Sequence, residues 1–519
     1  MSEDRLDIPA PPSSPVDSLP GIPRLRPAWW RGPDWAWILG IAAIVRGIAL
    51  SGFVMIGADS MHFLAMAGRI EAGAVAEAWA HPLRYHPGYP SLIAAAHVLL
   101  APLGMDLDNA ALVVSALAGV VMVLPLYLLA RWAYGVDAAL LSGLLAALHP
   151  ELVLLSADVM TETAFFAAQG AAVALLAWGL TTSRLSAWAG AGLCAAAALW
   201  IRAEGVYSAA LIGAGGVWAL VRGRARGFRA LLGAAARCGT ALGLMAVAFA
   251  PYVFWIHGQT GRWFFTNKGS VVSTAASLAG APVTAAPRPV SLHLMQKAFG
   301  RSTVYWAVLP LAVLGVAATA RRRAWTPAAV TALAIAGIGC GGQIAGHLLV
   351  RYAVSPRYFL QGTVFLLPAA GCGLAALGSW AAATRGMPRG RQLAAAVLGA
   401  MAVLSIGRAV SPGRAERIGL REAGEWIRRA YGGGQYLMSC EEQPAHYAAA
   451  RLHILPYAYD EAEAELTAGP GRFLVLMEKN LKDLEPSFRS RLESGPMQRV
   501  AEFARPGLER VWVYRSPVR

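Results

Sequence analysis

Charged residues are scarce in this sequence, and their scarcity excludes an ordinary soluble protein. Only 14% of the 519 residues are charged and 56% are hydrophobic, whereas a soluble domain carries roughly 25% charged residues. Lysine is especially rare and occurs only as Lys268, Lys297, Lys479 and Lys482. The five cysteines are scattered at spacings that indicate neither a disulfide framework nor a metal site. The composition therefore indicates a polytopic membrane protein.

The positive charge of the chain follows membrane topology, and we predict no nucleic-acid partner. The formal net charge is +15, but the arginines fall in clusters between apolar runs, as the positive-inside rule requires. Placing five clusters on the cytoplasmic side gives a consistent alternation of spans. Each of these basic positions comes directly after an apolar run. They are Arg131, Arg184, Arg222 to Arg237, Arg321 to Arg323, and Arg385 to Arg391.

The apolar runs predict about eleven transmembrane helices, each roughly 17–25 residues long. The N-terminus is then cytoplasmic and the C-terminus lies outside. The run 91–103 is short, and counting it as a span would reverse the later clusters, so we assign it to an outer juxtamembrane or re-entrant helix. The predicted spans are 36–56, 109–130, 137–155, 163–181, 186–201, 206–221, 238–256, 303–320, 326–350, 358–383 and 393–410.

Three regions of different composition divide the chain. Residues 1–33 are polar and proline-rich and are predicted to be a disordered cytoplasmic tail. Residues 34–410 form the predicted transmembrane domain, with long outer segments at 57–108 and 257–302 that are candidates for binding. In residues 411–519, a helical pattern is followed by short apolar runs, which predict a small extracytoplasmic α/β domain. The predicted fold class is thus an all-α polytopic membrane protein with a small α/β domain appended.

The first outer segment carries the first acidic side chain beyond a span, Asp59. The stripe Phe63, Met66, Ala67 and Ile70 predicts a helix beginning near Asp59 that can lie on the membrane surface. Asp59 can cap this helix, and it can also act as a base. The two roles are compatible.

A rigid turn, Pro87-Gly88-Tyr89-Pro90, follows His81 and His86 in the same outer segment. These side chains can orient a substrate, or the turn can be purely structural. Two histidines are too few for a closed metal site.

Further candidate residues lie at later span ends. Asp158 and Glu162 are four apart and would share a helix face, as functional acids or as a cap. Arg202 and Glu204 can pair in a hairpin, or the arginine can hold a lipid phosphate. Four outer cations can bind an anionic headgroup or rest at the membrane interface: Arg262, Lys268, Arg351 and Arg357.

The order of these motifs resembles the GT-C class of membrane glycosyltransferases, in the branch of the protein O-mannosyltransferase-like and aminoarabinose transferase-like enzymes. The resemblance covers roughly residues 36–383. One departure is Ser60, where many members have glutamate after the first aspartate. The matching stretches are Gly57-Ala58-Asp59, His86-Pro87-Gly88-Tyr89-Pro90, His149-Pro150 with Asp158 and Glu162, Arg202-Ala203-Glu204-Gly205, and Arg357-Tyr358.

This resemblance implies transfer of a sugar from a polyprenyl-phosphate donor to a lipid, glycan or protein acceptor on the outer face of a membrane. The preference for arginine over lysine and the abundance of alanine indicate a GC-rich bacterial genome, so we expect this membrane to be a bacterial inner membrane. Asp59 would be the general base of an inverting displacement, and Asp158 with Glu162 would be a second acidic site. The remaining residues fall into two expected groups. The donor phosphate would contact Lys268, Arg202, Arg357, Arg262 and Arg351, and the acceptor or sugar would contact His62, His86, Tyr89, Glu204 and Tyr358.

Other functions fit parts of the same pattern. A polyprenyl-lipid flippase would also need spans and outer charges, but transporters tend to show internal repeats, and we find none. A metal-dependent oligosaccharide transferase on the same fold would bind a divalent metal, for which Asp59, Asp158 and Glu162 are the candidate ligands, so metal dependence stays open. A third alternative is a receptor whose working part is the α/β tail.

Overall fold

The computed structural model describes residues 34–80, 85–224, 227–263, 265–266, 292–304, 306–350, 355–385, 387–410, 417–506 and 508–517. Its contacts divide the chain into two compact units. The first comprises the described residues up to Ser51 together with Met66–Val410, and the second comprises Gly52–Ala65 with the described residues of Ser411–Arg519. The predicted tail at 1–33 lies outside the described residues.

The first unit is helical. Its helices, and α2, which begins in the second unit, are α1 (Asp34–Ser51), α2 (Ala58–Glu71), α3 (Val75–Ala80), α4 (Gly88–Leu100), α5 (Leu107–Val121), α6 (Val123–Tyr134), α7 (Val136–Ala147), α8 (Pro150–Ser156), α9 (Thr161–Thr182), α10 (Leu185–Ile201), α11 (Val206–Arg224), α12 (Phe228–Thr260), α13 (Leu292–Ser302), α14 (Val308–Arg321), α15 (Pro327–Val350), α16 (Pro356–Thr363), α17 (Leu367–Arg385) and α18 (Met387–Val410). Single 3-10 turns lie at Ala101–Leu103, Ala203–Gly205 and Val364–Leu366.

The predicted polytopic membrane fold is confirmed. Among the described residues, eight helices are long and apolar enough to cross a membrane, and a bent pair makes a ninth. Two further predicted spans correspond to apolar helices shorter than 18 residues, Leu185–Ile201 and Val308–Arg321. The run assigned to a juxtamembrane helix forms α4, which its 3-10 turn extends to Leu103. Its position relative to the membrane stays a prediction.

The bent pair consists of α7 and α8, which meet at an angle of 54°. A break inside a span leaves backbone carbonyls that lipid cannot satisfy. Arg46 of α1 supplies hydrogen bonds at this break. Its guanidinium donates to the Ala147 carbonyl at 3.1 Å and to the Ser156 hydroxyl at 3.2 Å. Arg46 is only 1% exposed. This charged residue inside an apolar helix therefore stabilises the bend between α7 and α8.

The second unit is built on a mixed five-stranded sheet. Its strands are β1 (Tyr436–Ser439), β2 (Arg451–Ile454), β3 (Phe473–Met477), β4 (Gln498–Phe503) and β5 (Val511–Arg515), in the order β2-β1-β3-β5-β4. β1 pairs in parallel with β2 and β3, while β5 is antiparallel to β3 and β4. The helices are α19 (Ile418–Tyr431), α20 (Gln443–Ala448), α21 (Tyr459–Thr467) and α22 (Phe488–Ser494), with a 3-10 helix at Glu478–Asp483.

Both faces of this sheet are covered, as side-chain alternation requires. On β3, Phe473 and Val475 pack into one hydrophobic cluster, and Leu474 packs into the other. The first cluster also contains Leu420 of α19 and Met55 from the early segment Gly52–Ala65. The segment before α2 is thus part of the core of the α/β unit.

Candidate active site

Three residues from two separate motifs meet in the first unit. Glu162 lies in the first turn of α9, Arg202 follows α10 with extended backbone, and Glu204 sits in the 3-10 turn after it. The Arg202 guanidinium donates to Glu162 Oε1 at 2.7 Å and to Glu204 at 3.2 and 3.4 Å. It also donates to the Thr161 hydroxyl at 2.8 Å. The arginine therefore joins the ends of two helices.

Arg357 extends this network from α16. Its Nε lies 3.9 Å from Glu162 Oε1. Its guanidinium lies 5.2 Å from the centre of the Tyr358 ring and donates to the Tyr358 hydroxyl at 3.4 Å. The late Arg-Tyr motif thus reaches the same carboxylate as the hairpin arginine. We call Glu162, Arg202, Glu204 and Arg357 the ion network.

The ion network balances two carboxylates with two guanidinium groups. The Glu162 and Glu204 side chains are 1% and 4% exposed, and charges so deeply buried are stable only when paired. The Arg202 side chain is 11% exposed, whereas that of Arg357 is 28% exposed. Arg202 therefore pairs with carboxylates inside the protein, and Arg357 is the more accessible cation for binding an anionic group.

Gly205 explains the last position of the Arg-Ala-Glu-Gly motif. A Cβ at this position would lie 2.4 Å from the Leu199 backbone nitrogen and 2.6 Å from the Ala198 carbonyl carbon. Real Cβ atoms do not approach backbone this closely, so a larger residue would push the hairpin off the end of α10. The glycine thus sets the position of Arg202 and Glu204.

We expect Gly205→Ala to lower both the melting temperature and the activity, because overpacking against backbone costs about 1–3 kcal/mol. Gly213→Ala on α11 is the matched control, since nothing lies within 4 Å of a Cβ there. Thermal unfolding of the two purified variants provides the measurement. Equal melting temperatures would contradict this role for Gly205.

The predicted shared helix face of Asp158 and Glu162 is wrong. α8 ends at Ser156, and Asp158 lies in the turn before α9. Its Oδ1 accepts a hydrogen bond from the Val159 backbone amide at 2.9 Å. An aspartate that bonds the neighbouring backbone amide favours a turn over a helix, so helical spacing does not relate the two carboxylates.

Two residues expected to bind the acceptor or sugar have contacts inside the protein. His86 is 3% exposed, and its Nδ1 donates to the Leu199 carbonyl at 2.5 Å. Tyr89 is fully buried, and its hydroxyl is 2.6 Å from the Ser115 hydroxyl. These contacts anchor α4 against α10 and α5, and contact of either side chain with the acceptor or sugar stays a prediction. Sequence reasoning could not separate this role from substrate binding, because a rigid turn suits both.

In the second unit, Asp59 lies in the first turn of α2, as predicted, and is half-buried. The chain before it is tied to the α/β unit by two bonds: Arg421 donates to the Val54 carbonyl at 2.7 Å, and the Tyr447 hydroxyl accepts from the Ile56 amide at 2.9 Å. His62, one turn further on, has its Nε2 at 3.8 Å from Glu442.

The proposed membrane-facing stripe of α2 is not available to lipid. Phe63, Met66 and Ala67 are at most 3% exposed. Ile70 is half-buried. The stripe therefore packs within the protein, and the same spacing that suits a membrane-surface helix suits a core helix equally well.

Some predicted residues lie outside the described part of the chain: His81, Lys268 and Arg351. Arg262 is described and exposed, directly after α12. Among the described residues, no group of three or more His, Cys, Asp or Glu side chains could hold a metal ion. Roles for the three residues outside this part stay predictions.

A family comparison matches residues 86–255 to the family described as dolichyl-phosphate-mannose-protein mannosyltransferase. The match covers less than half of the chain, and it contains Glu162, Arg202 and Glu204 but neither Asp59 nor Arg357. A search of curated protein sequences finds no match.

Solved structures share the fold over almost the whole chain. ArnT from Cupriavidus metallidurans in the apo state is 14% identical, with a TM-score of 0.63 over 92% of this chain and 97% of ArnT. ArnT bound to undecaprenyl phosphate is 12% identical, with a TM-score of 0.64 and the same coverage. The apo oligosaccharyltransferase from Archaeoglobus fulgidus is 13% identical, with a TM-score of 0.53 over 86% of this chain and 70% of that protein. The fold of this chain is the GT-C fold, and both comparisons support the resemblance to membrane glycosyltransferases.

Proposed function

We propose that the protein transfers a sugar from a polyprenyl-phosphate donor to an acceptor hydroxyl at the outer face of a bacterial inner membrane. One observation carries this proposal: motifs up to 195 residues apart, at Glu162, Arg202 and Arg357, meet in one ion network. They do so on a fold whose solved examples include ArnT with bound undecaprenyl phosphate. Buried networks of paired charges are typical of functional sites that bind or move charged groups.

The proposed reaction is a single displacement. The acceptor oxygen attacks the anomeric carbon while Asp59 accepts the hydroxyl proton. The bond from the anomeric carbon to the phosphate oxygen breaks, and its electron pair leaves with the polyprenyl phosphate. Cations stabilise the negative charge that develops on that phosphate.

The structure supports different roles for the cations that sequence reasoning had grouped together. Arg357 is our candidate phosphate ligand, because it is the more exposed arginine of the ion network. Arg202 is a positioning residue, because its guanidinium is bonded to Glu162, Glu204 and Thr161. Lys268, Arg351 and the exposed Arg262 stay candidate ligands of the donor phosphate. The residues that stay candidates for contact with the acceptor or sugar are His62, His86, Tyr89, Glu204 and Tyr358.

The anomeric configuration of the product tests the mechanism. We expect purified protein, supplied with a polyprenyl-phosphate sugar of defined configuration and a cell-envelope acceptor, to form a product of the opposite configuration. Inversion is expected because one carboxylate, acting as base, is sufficient for a single displacement. The configuration can be read from the anomeric proton coupling in an NMR spectrum. A product of retained configuration would contradict the single displacement, and failure to form any product under turnover conditions would contradict the enzyme assignment. Repeating the reaction with a chelator determines whether a divalent metal is needed.

A further inference from the structure

A second group of cations surrounds a cavity that shares no residue with the ion network. The cavity has a volume of about 510 Å³ and belongs to the first unit. It is formed by the C-terminal half of α13, the loop that follows and the last turn of α18. The lining residues are Lys297, Gly300, Arg301, Trp306 and Arg408.

The charges around this cavity do not cancel. Glu151 at the start of α8 pairs with both arginines: its Oε1 lies 3.2 Å from Arg301 and 2.5 Å from Arg408. With Lys297, three positive side chains then face the one carboxylate that the described residues place among them, that of Glu151. Glu151 is largely buried, at 11% exposure of its side chain. It fixes the two guanidinium groups in place, and within the described part of the chain this group keeps an excess of two positive charges.

The loop that follows α13 and contributes Trp306 to the cavity has an unusual backbone. Val304 and Trp306 have φ angles of 52° and 74°, in the left-handed region that non-glycine residues rarely adopt, and a β-branched residue least of all. Strained residues of this kind concentrate at binding and catalytic sites.

Specific bonds hold this loop. The Ser302 carbonyl accepts hydrogen bonds from His149 Nε2 at 3.1 Å and from the Thr363 hydroxyl at 3.2 Å. The Trp306 amide donates to the Gly300 carbonyl at 3.3 Å. Gly300 also leaves room for the indole, because a Cβ there would lie 2.6 Å from Trp306 Nε1. The protein thus holds a half-exposed tryptophan beside three cations.

We propose that this cavity binds a phosphate or pyrophosphate group. Guanidinium groups and a lysine ammonium are the side chains that recognise phosphate oxygens, and the indole offers an apolar wall to the organic part of the ligand. A lipid headgroup and a soluble phosphate compound share this chemistry. The proposal concerns binding and does not rest on sugar transfer.

Titration of the purified full-length protein with inorganic pyrophosphate, followed by calorimetry, tests the site. Lys297→Gln should weaken binding about tenfold, the factor expected for one lost charge-assisted hydrogen bond. Lys297 is exposed and pairs with neither Glu151 nor another described carboxylate, so its replacement leaves the buried pairs intact. Lys482→Gln is the control, since it removes the same charge from an exposed position in the second unit and should bind as wild type does.

A second arm of the experiment distinguishes the two sources of phosphate. Protein in nanodiscs of phosphatidylcholine is compared with protein in nanodiscs that also contain phosphatidic acid. Weaker pyrophosphate binding in the presence of phosphatidic acid, restricted to proteins that retain Lys297, identifies a lipid phosphate as the occupant. Unchanged pyrophosphate binding identifies a soluble one. Both results support the site. Absence of pyrophosphate binding, or equal binding by Lys297→Gln and Lys482→Gln, would overturn it.

Discussion

Replacing Arg202 with glutamine should destabilise the protein by about 3 kcal/mol or more, the range for a broken buried ion pair. The variant would leave Glu162 and Glu204 buried with like charge, and the remaining cation of the ion network would be Arg357, 3.9 Å from Glu162. Transfer should fall as well, since the hairpin and α9 would lose their shared guanidinium. Thermal unfolding and transfer activity are measured on the same preparation.

Arg184→Gln is the matched control for this change. Arg184 lies at the opposite end of α10, is exposed and rests against the Trp178 ring at 5.6 Å, so its loss should change stability little. The double variant Arg202→Gln with Glu204→Gln completes a cycle. Its loss of stability should be smaller than the sum of the single losses, because the two residues share one interaction. Additive losses, or equal melting of the Arg202 and Arg184 variants, would contradict the role of the ion network.

The sequence predicted the membrane architecture well, because long apolar runs and arginine clusters are local signals. It could not predict that Glu162 meets Arg202 and Arg357, because these partners are 40 and 195 residues away along the chain and no local pattern encodes such contacts. It also grouped Arg202 with the phosphate ligands. Burial is what distinguishes a positioning arginine from a ligand, and burial depends on the folded helices.

The α/β unit illustrates the same difference between local and long-range information. The buried strands β1, β3 and β5 were visible as apolar runs. β2 and β4 show no such run, because they are edge strands with largely exposed or half-buried residues. Edge strands carry polar side chains that discourage aggregation, and this removes the signal by which a strand is recognised.

Three further residues have structural roles that the sequence did not predict. Arg46 lies inside the predicted span 36–56, and a charge in that position is itself a signal of a buried partner. Glu151 and Arg408 lie in the last turns of the predicted spans 137–155 and 393–410. Their pairing across 257 residues became visible only in the folded protein.

Replacing Asp59 with asparagine should reduce sugar transfer by roughly a hundredfold or more, as expected for the loss of a general base. Asparagine caps a helix about as well as aspartate does. The substitution therefore preserves any capping function while removing the group that accepts the proton. This separates the two roles that the sequence left open for Asp59.

Glu71→Gln provides the matched control on the same helix. Glu71 lies at the far end of α2, where it pairs with His97 Nδ1 at 2.8 Å, and its loss should leave transfer close to the wild-type rate. Circular dichroism and thermal unfolding verify that all three proteins are folded.

The most direct test of the proposed function is the rate at which these purified proteins transfer label from a polyprenyl-phosphate sugar to a cell-envelope acceptor. We predict that wild type and Glu71→Gln transfer the sugar and release polyprenyl phosphate in equal amounts, while folded Asp59→Asn is at least about a hundredfold slower. Equal rates for wild type and Asp59→Asn would contradict the assignment of the base. Movement of the intact donor across the bilayer by wild type, without cleavage, would contradict the transferase function itself.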